Sequence, residues 1–118
     1  AVISGRQSRA VERRVTELGV TWIRQGVEDK LAALRELLDI LALGPQAVAS
    51  VGDDVPDLPI FEVARLAIAV ADAHPSVKSQ AHFITQAPGG LGAVREVCDL
   101  ILEGRRRVHD SFRPRKVE

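Results

Sequence analysis

The stretch Val48-Ala49-Ser50-Val51-Gly52-Asp53-Asp54 decides the fold that we predict for this chain. An apolar, partly β-branched run leads into a glycine and two adjacent carboxylates, and Asp57 follows one helical turn later. Open α/β sheets bind their ligands at the carboxyl ends of the strands. Neighbouring carboxylates repel each other unless a cation or a base lies between them. The stretch therefore predicts a buried parallel strand whose carboxyl end holds a divalent cation.

Short apolar runs alternate with longer amphipathic ones along the chain, which predicts βα units. We place strands at residues 1–3, 20–23, 47–51, 66–71 and 82–85, the last at an edge and the third at the centre because it is apolar on both faces. We place helices at residues 7–18, 28–43, 56–64 and 93–102, and a short helix or turn at residues 75–81. The first of these helices should bury Ala10, Val11, Val15 and Leu18. The predicted class is α/β: a Rossmann-like parallel sheet with helices on both faces.

The composition indicates a globular chain, because 46% of its 118 residues are hydrophobic and 27% are charged. The formal net charge is zero, so we expect neither nucleic acid nor an anionic membrane as a partner. The single cysteine, Cys98, fits a reducing compartment, and we expect it to be buried beside Val94 and Ile101. No signal peptide is visible, so we expect a cytoplasmic location. Residues 1–103 should form the core, and residues 104–118 should form a basic tail.

Polar residues follow three of the predicted strands. Ser4-Gly5-Arg6 offers a hydroxyl, a glycine amide and a guanidinium, which together suit a phosphate. Lys30 can place a compact positive charge on a phosphoryl group. Asp53, Asp54 and Asp57 supply the carboxylates for a metal. Because all of these residues follow strands, we predict a combined phosphate and Mg²⁺ site at the carboxyl edge of the sheet.

Each part of this pattern also has a purely structural interpretation. Ser4 fits a helix cap, Lys30 fits a solvated helix position, and Gly52-Asp53-Asp54 fits a turn followed by a cap. Arg6 suits a phosphate contact and an exposed surface position equally. His74 is expected to cap its own loop. The order of a serine, a lysine and an acidic pair, each after a strand, is much more specific than any one of them.

The same residues resemble the motifs of the haloacid dehalogenase superfamily, and within it the capless 3-deoxy-D-manno-octulosonate 8-phosphate phosphatases. The resemblance covers nearly all of residues 1–103. The stretches that carry it are Ala1-Val2-Ile3-Ser4-Gly5-Arg6, Gln25-Gly26 with Asp29-Lys30, Val51-Gly52-Asp53-Asp54 with Asp57 and Pro59, Ala69-Val70-Ala71-Asp72-Ala73-His74-Pro75, and residues 89–100.

This resemblance implies a Mg²⁺-dependent phosphatase that acts on a phosphorylated sugar acid in lipopolysaccharide precursor synthesis, through an aspartyl-phosphate. Ser4 and Lys30 would be catalytic, and Ser4, Gly5, Arg6 and Lys30 would hold the phosphate. Asp53 would bind Mg²⁺ directly, while Asp54 and Asp57 would support the metal or orient Lys30. The resemblance also implies a homotetramer for the full-length protein.

One family motif is absent. No Asp-x-Asp-Gly occurs, although in the family this motif carries the nucleophile and the general acid/base on the first strand. The chain also lacks methionine and opens on a predicted strand end. We therefore expect an N-terminally truncated chain that is inactive alone. Leu91 stands where the family usually has arginine, and Pro56 lies inside the acidic loop.

Two other functions remain open at this point. Related domains serve as noncatalytic oligomerisation domains of sugar-acid cytidylyltransferases, or as accessory subunits of a phosphate-ester carboxylase. The joint presence of Ser4, Lys30, Asp53 and Asp54 favours a phosphatase over an assembly domain, but the motifs do not separate it from the carboxylase subunit.

Overall fold

The computed structural model describes residues 1–111, with side chains as far as Val108. Its strands are β1 (Val2–Ile3), β2 (Ile23–Arg24), β3 (Ala49–Gly52), β4 (Leu66–Ala69) and β5 (Phe83–Ile84). Its helices are α1 (Arg9–Glu17), α2 (Lys30–Leu41), α3 (Leu58–Val63), α4 (Pro75–Gln80) and α5 (Ala93–Ser111). Single 3₁₀ turns at Pro45–Ala47 and Val55–Asp57 flank β3.

The predicted α/β class is confirmed, because every pair of neighbouring strands is parallel. Within residues 1–111, however, the strands form two sheets. One pairs β1 with β2, and the other has the order β3-β4-β5. Strand β5 lies at an edge, as predicted.

The prediction that β3 is central was wrong. Strand β4 is the middle strand of its sheet, and its residues Ala67, Ile68 and Ala69 are fully buried. In the part of the chain that the structure describes, strand β3 pairs with β4 alone, and Val51 is 38% exposed. An apolar run predicts that the faces of a strand are covered by other elements, but it does not predict how many strands pair with its edges.

Two apolar clusters hold the elements together. One joins Phe61 of α3, Val77 of α4 and Ala93 of α5 to the β4 residues Ala67 and Ala69. The other, which we call the bridging cluster, consists of Leu34, Leu38 and Ile60, with Ile3, Leu31, Val48 and Val63 packed against it. Because the bridging cluster joins α2 and α3 to β1 and to the residue before β3, it ties the two sheets into one body.

The ends and faces of two helices differ from the prediction. Helix α1 contains no buried residue, and Leu18 of its predicted apolar face is 62% exposed. Helix α5 continues to Ser111, where we predicted a tail from Gly104, because Glu103 pairs with both Arg106 and Arg107 along the helix. Residues 112–118 of the predicted tail lie outside the described residues.

Cys98 is exposed, which corrects the prediction that it is buried. Its predicted neighbour Val94 is 65% exposed. Among residues 93–108 of this helix, the buried ones are Ala93 and Val97, one turn apart. Cys98 follows Val97 by one position, so it points away from this buried face. Across residues 1–111, no helix combines the length and the apolar character that crossing a membrane requires.

Candidate functional site

The acidic loop after β3 is organised around Asp57. Its Oδ2 atom accepts hydrogen bonds from the backbone N–H groups of Asp53 (3.0 Å) and Asp54 (3.2 Å). The Oδ1 atom of Asp54 accepts from the N–H of Val55 at 2.7 Å, which caps the 3₁₀ turn Val55–Asp57. Asp54 and Asp57 therefore shape the loop, and the carboxylate of Asp53 is left at the end of the strand.

Lys30 is joined directly to this loop. Its Nζ atom donates to Oδ1 of Asp57 at 2.7 Å, and the two side chains are only 14% and 12% exposed. Lys30 is the first residue of α2, whose N-cap Asp29 accepts a hydrogen bond from the N–H of Ala32. Charge-assisted hydrogen bonds of this kind are stronger than neutral ones. The start of α2 and the end of β3 are thus fixed to each other at the predicted site.

The two carboxylates of this cluster have opposite pKa shifts. Burial acts to raise the pKa of Asp57, but hydrogen bonds from Lys30 and from the amides of Asp53 and Asp54 outweigh it and lower the pKa below its usual value. Partial burial, followed by the hydrogen bond and negative charge of Asp57, raises the pKa of Asp53. The loop therefore keeps Asp57 ionised beside Lys30, and Asp53 is the carboxylate that a further cation would stabilise.

Gly52 belongs to the site, although the sequence analysis did not assign it a role. A Cβ atom at this position would lie 2.7 Å from Cβ and 3.0 Å from Oδ2 of Asp57. Only a glycine lets the Asp57 carboxylate reach the amides of Asp53 and Asp54. The signal available in the sequence was a glycine directly before an acidic pair.

Ser4 lies in a second loop, after β1. Its N–H donates to the carbonyl of Arg24 (2.9 Å), its carbonyl accepts from the N–H of Val27 (3.0 Å), and its Oγ accepts from the N–H of Arg6 (3.1 Å). The cap of α1 is Ser8, so Ser4 is not a helix cap. Helix α1 begins only at Arg9, so its N-terminus does not directly follow the predicted phosphate-binding stretch Ser4-Gly5-Arg6.

The Ser4 loop is connected to the acidic loop through the segment between β2 and α2. Gly26, with a positive φ of 68°, donates its N–H to the carbonyl of Arg6 at 3.2 Å. The same segment bonds Ser4 through Val27, and it leads directly to Asp29 and Lys30. The structure therefore joins Lys30, Asp53, Asp54 and Asp57 by direct bonds, and attaches Ser4, Gly5 and Arg6 through one intervening loop. Gly5 and Arg6 are exposed.

His74 caps α4, as predicted. Its Nδ1 atom accepts a hydrogen bond from the N–H of Ser76 at 3.1 Å. The backbone N–H of His74 donates to the carbonyl of Asp53 at 2.9 Å, which fixes the backbone of the acidic loop from the β4 side. A second contact, which the sequence analysis missed, lies in the loop after β4. The Oδ1 atom of Asp72 accepts a hydrogen bond from the backbone N–H of Gly89 at 2.7 Å. This bond holds the glycine-rich loop of residues 89–92, which contains the exposed Leu91.

This arrangement places a carboxylate, which suits a cation, beside an ammonium group, which suits an anion. Among the described residues, no group of three or more His, Cys, Asp or Glu side chains is placed to hold a metal ion. Asp53 supplies a carboxylate oxygen, the type of donor that Mg²⁺ prefers. Lys30 supplies a fixed positive charge beside it. Together they suit a phosphoryl group bound with a divalent cation.

Comparison with known proteins identifies the family of this chain. The family model described as haloacid dehalogenase-like hydrolase matches residues 16–94. The 3-deoxy-D-manno-octulosonate 8-phosphate phosphatase of Yersinia pestis is 50% identical over 102 residues, which are 86% of this chain and 54% of that protein. The enzyme of the same name from Escherichia coli (strain K12) is 46% identical over 111 residues, which are 94% of this chain and 59% of that protein.

Solved structures of such phosphatases have the same fold. The Yersinia pestis structure superposes with a TM-score of 0.88 at 47% identity, covering 92% of this chain and 59% of that one. The structure from Moraxella catarrhalis, a complex with magnesium ion, phosphate ion and a KDO molecule, gives a TM-score of 0.83 at 44% identity over 86% of this chain and 58% of that one. The chain thus spans just over half the length of the relatives that it matches.

Proposed function

Because this chain belongs to the haloacid dehalogenase-like hydrolases, we propose that it is part of a Mg²⁺-dependent phosphatase. The substrate is a phosphorylated sugar acid such as 3-deoxy-D-manno-octulosonate 8-phosphate, the compound after which its relatives are named. On the same resemblance, we place the whole protein in lipopolysaccharide precursor synthesis in the cytoplasm, as a homotetramer.

The observation that carries this proposal is the ion pair between Lys30 and Asp57 beside the carboxylate of Asp53. Phosphoryl transfer depends mainly on positioning and on stabilising charge at the phosphoryl oxygens. The contact with Asp57 fixes the lysine ammonium in place before a substrate arrives. An exposed lysine would have to lose side-chain entropy on binding instead.

The residues present fit Mg²⁺. This ion takes oxygen ligands, commonly one or two carboxylates together with substrate phosphate and water. Asp53 would hold it directly, and it would neutralise charge on the phosphate. Asp54 and Asp57 would act through the loop, since their carboxylates are bonded to the backbone and to Lys30.

The remaining residues would hold the substrate. The backbone of the Ser4 loop is fixed on both sides by Arg24 and Val27, so the Ser4 hydroxyl and the Gly5 amide could bind a phosphate oxygen without rearranging the strand. Arg6 is exposed and could reach the phosphate or the carboxylate of a sugar acid.

A purely structural role as an assembly domain accounts for less of the geometry. Oligomerisation requires neither the close approach of Asp57 to Gly52 nor a lysine ammonium held in an ion pair beside the carboxylate of Asp53. The accessory subunit of a phosphate-ester carboxylase remains the second candidate on the family resemblance.

The test is Asp53→Asn in the longest form of the protein that its gene encodes. We expect at least about a 100-fold loss of Mg²⁺-dependent phosphate release from 3-deoxy-D-manno-octulosonate 8-phosphate, the scale of removing one electrostatic contact to a transition state. The control is Asp99→Asn on α5, where the carboxylate pairs with the exposed Arg95. Activity retained by Asp53→Asn would remove this residue from the metal site.

A further inference from the structure

Thr85 is a buried polar residue to which the proposed reaction has so far given no role. It directly follows β5, and it is only 3% exposed. Its backbone N–H donates to the carbonyl of Ala69, the last residue of β4, at 2.9 Å. A hydroxyl at this depth is costly unless it is hydrogen-bonded, so the partners of the Thr85 side chain indicate what it holds.

The Thr85 hydroxyl joins two loops at the carboxyl ends of the strands. Its Oγ1 atom accepts a hydrogen bond from the backbone N–H of Ala71 at 3.1 Å and donates one to the carbonyl of Ala87 at 2.6 Å. Ala71 belongs to the loop after β4, and Ala87 belongs to the segment that leads into the glycine-rich loop. Because the hydroxyl is donor to one loop and acceptor from the other, it fixes the two loops relative to each other.

The loop on the α5 side is itself held in place. Glu96 of α5 accepts hydrogen bonds from the backbone N–H groups of Gln86 and Ala87, each at 2.9 Å. Helix α5 in turn packs against β4 through Ala93, which is 1% exposed. Thr85 is therefore bonded to a segment that the helix fixes, and that segment can serve as a support for the loop after β4.

The loop after β4 leads directly to the acidic loop. Its turn is closed by a hydrogen bond from the N–H of Ala73 to the carbonyl of Val70 at 3.0 Å, and the next residue, His74, donates its backbone N–H to the carbonyl of Asp53 at 2.9 Å. Only two residues separate Ala71 from His74. Because a closed turn has few conformations, the position of Ala71 determines where His74 meets Asp53.

We propose that Thr85 is a positioning residue for the Mg²⁺ site: its hydroxyl holds the loop after β4, and through His74 this loop fixes the backbone that carries the Asp53 carboxylate. The inference rests on the proposed function, in which Asp53 binds the cation. Thr85 acts only through Ala71 and His74, so it is not a catalytic residue. Removing a group that orients a metal ligand typically weakens metal binding by about 10- to 100-fold.

Thr85→Val tests the hydroxyl, because valine keeps the branched shape and can form neither hydrogen bond. In the longest form of the protein that its gene encodes, the Mg²⁺ concentration for half-maximal phosphate release from 3-deoxy-D-manno-octulosonate 8-phosphate should rise at least about tenfold. The rate at saturating Mg²⁺ should fall less than about threefold, because the groups that contact the substrate are unchanged. Thr85→Ser keeps the hydroxyl and should restore the Mg²⁺ requirement of the parent to within about twofold.

The matched control is Thr16→Val on α1. The Thr16 hydroxyl also donates to a backbone carbonyl, that of Glu12 at 2.8 Å, but this contact lies within one exposed helix. The same chemical change should therefore leave the Mg²⁺ requirement as it is in the parent.

Amide hydrogen exchange, followed by mass spectrometry on the same proteins without Mg²⁺ or substrate, gives a readout that does not need activity. In Thr85→Val, peptides that contain residues 71–74 should exchange at least about tenfold faster, and peptides from the buried strand β4 should change little. A general loss of stability would instead speed exchange through β4 and β5 together. If Thr85→Val does not fold, Thr85→Ala makes the same comparison with a smaller side chain.

The outcomes separate this inference from the proposed function. An unchanged Mg²⁺ requirement in Thr85→Val, no recovery in Thr85→Ser, or unchanged exchange at residues 71–74 would each overturn the role of Thr85 and leave the phosphatase proposal in place. A parent protein without Mg²⁺-dependent phosphate release would overturn the proposed function, and with it the role of Thr85 in metal binding, whatever the exchange at residues 71–74.

Discussion

At the scale of single residues, the site depends on the absence of a side chain at Gly52. The Asp57 carboxylate accepts two backbone N–H groups and the Lys30 ammonium, and it can approach them because Gly52 has no Cβ. Backbone conformation is not the reason, since Gly52 is not among the residues with positive φ. A glycine is required at position 52 because the Asp57 side chain occupies the space that a Cβ atom would take. A substitution there would affect the site by displacing Asp57.

Gly52→Ala should therefore displace the Asp57 carboxylate. A Cβ atom 2.7 Å from Cβ of Asp57 cannot be accommodated without a shift, and we expect a loss of about 2 kcal/mol in the free energy of unfolding, within the range for overpacked sites. The measurement is the urea midpoint of the 118-residue chain.

The matched control for that measurement is Gly104→Ala. Gly104 lies inside α5, where an added Cβ meets nothing within 4 Å, and alanine in an exposed helix stabilises by about 1 kcal/mol relative to glycine. Equal effects of the two substitutions would mean that the contact with Asp57 is not what requires a glycine at position 52.

At the scale of elements, the sequence predicted the order of strands and helices well because apolar periodicity records which side chains are buried. It did not predict how many strands lie beside β3, since that depends on chain segments distant in sequence. The end of α5 was missed for a local reason. The ion pairs of Glu103 with Arg106 and Arg107 support a helix through residues without apolar periodicity.

The same limits apply to the site. The joint placement of Lys30 and the acidic loop could be predicted, because residues at the carboxyl ends of parallel strands converge. The family resemblance implied that Asp54 and Asp57 support the metal or orient Lys30, but the residues alone did not say which of the two does which. Three carboxylates close in sequence look equivalent, and only the loop geometry assigns Asp57 to Lys30 and Asp54 to the 3₁₀ turn.

The orientation of α5 gives a prediction for Cys98. Its thiol is exposed because Ala93 and Val97 define the buried face. We expect it to react with a thiol-specific disulfide reagent in the native chain at a rate within about tenfold of that in urea, since exposure and thiolate character control reactivity. A Val97→Cys variant that also carries Cys98→Ser should react far more slowly, and equal rates would contradict the assigned face of the helix.

At the scale of the whole molecule, the two sheets are held together by α2 and α3 through the bridging cluster and by the ion pair between Lys30 and Asp57. The polar contact lies at the carboxyl ends of the strands, and the apolar contact lies along them. Formation of the site and attachment of α2 to the β3 sheet are therefore one event, so the titration of the site should appear in the stability of the whole chain.

The expected pH dependence has two parts of opposite sign. The pKa of Asp57 is lowered in the folded state, so its stabilising effect is present above its unfolded pKa, about 3.9, and is lost as the pH falls through the folded pKa. The pKa of Asp53 is raised. The folded chain therefore holds that proton more tightly, and this contribution to stability grows as the pH falls toward about 4.

Substitutions separate the two parts. In metal-free buffer, Asp57→Asn should lower the urea midpoint at neutral pH and should flatten the loss of stability below about pH 4. Asp53→Asn should leave that acid limb in place and remove the gain on acidification above about pH 4. The measurement is the urea midpoint from about pH 2.5 to 6.5 for the parent chain and both variants. If Asp57→Asn loses stability below about pH 4 as steeply as the parent chain does, another carboxylate couples the sheets. An asparagine at position 57 has no carboxylate to protonate, so it cannot cause that loss.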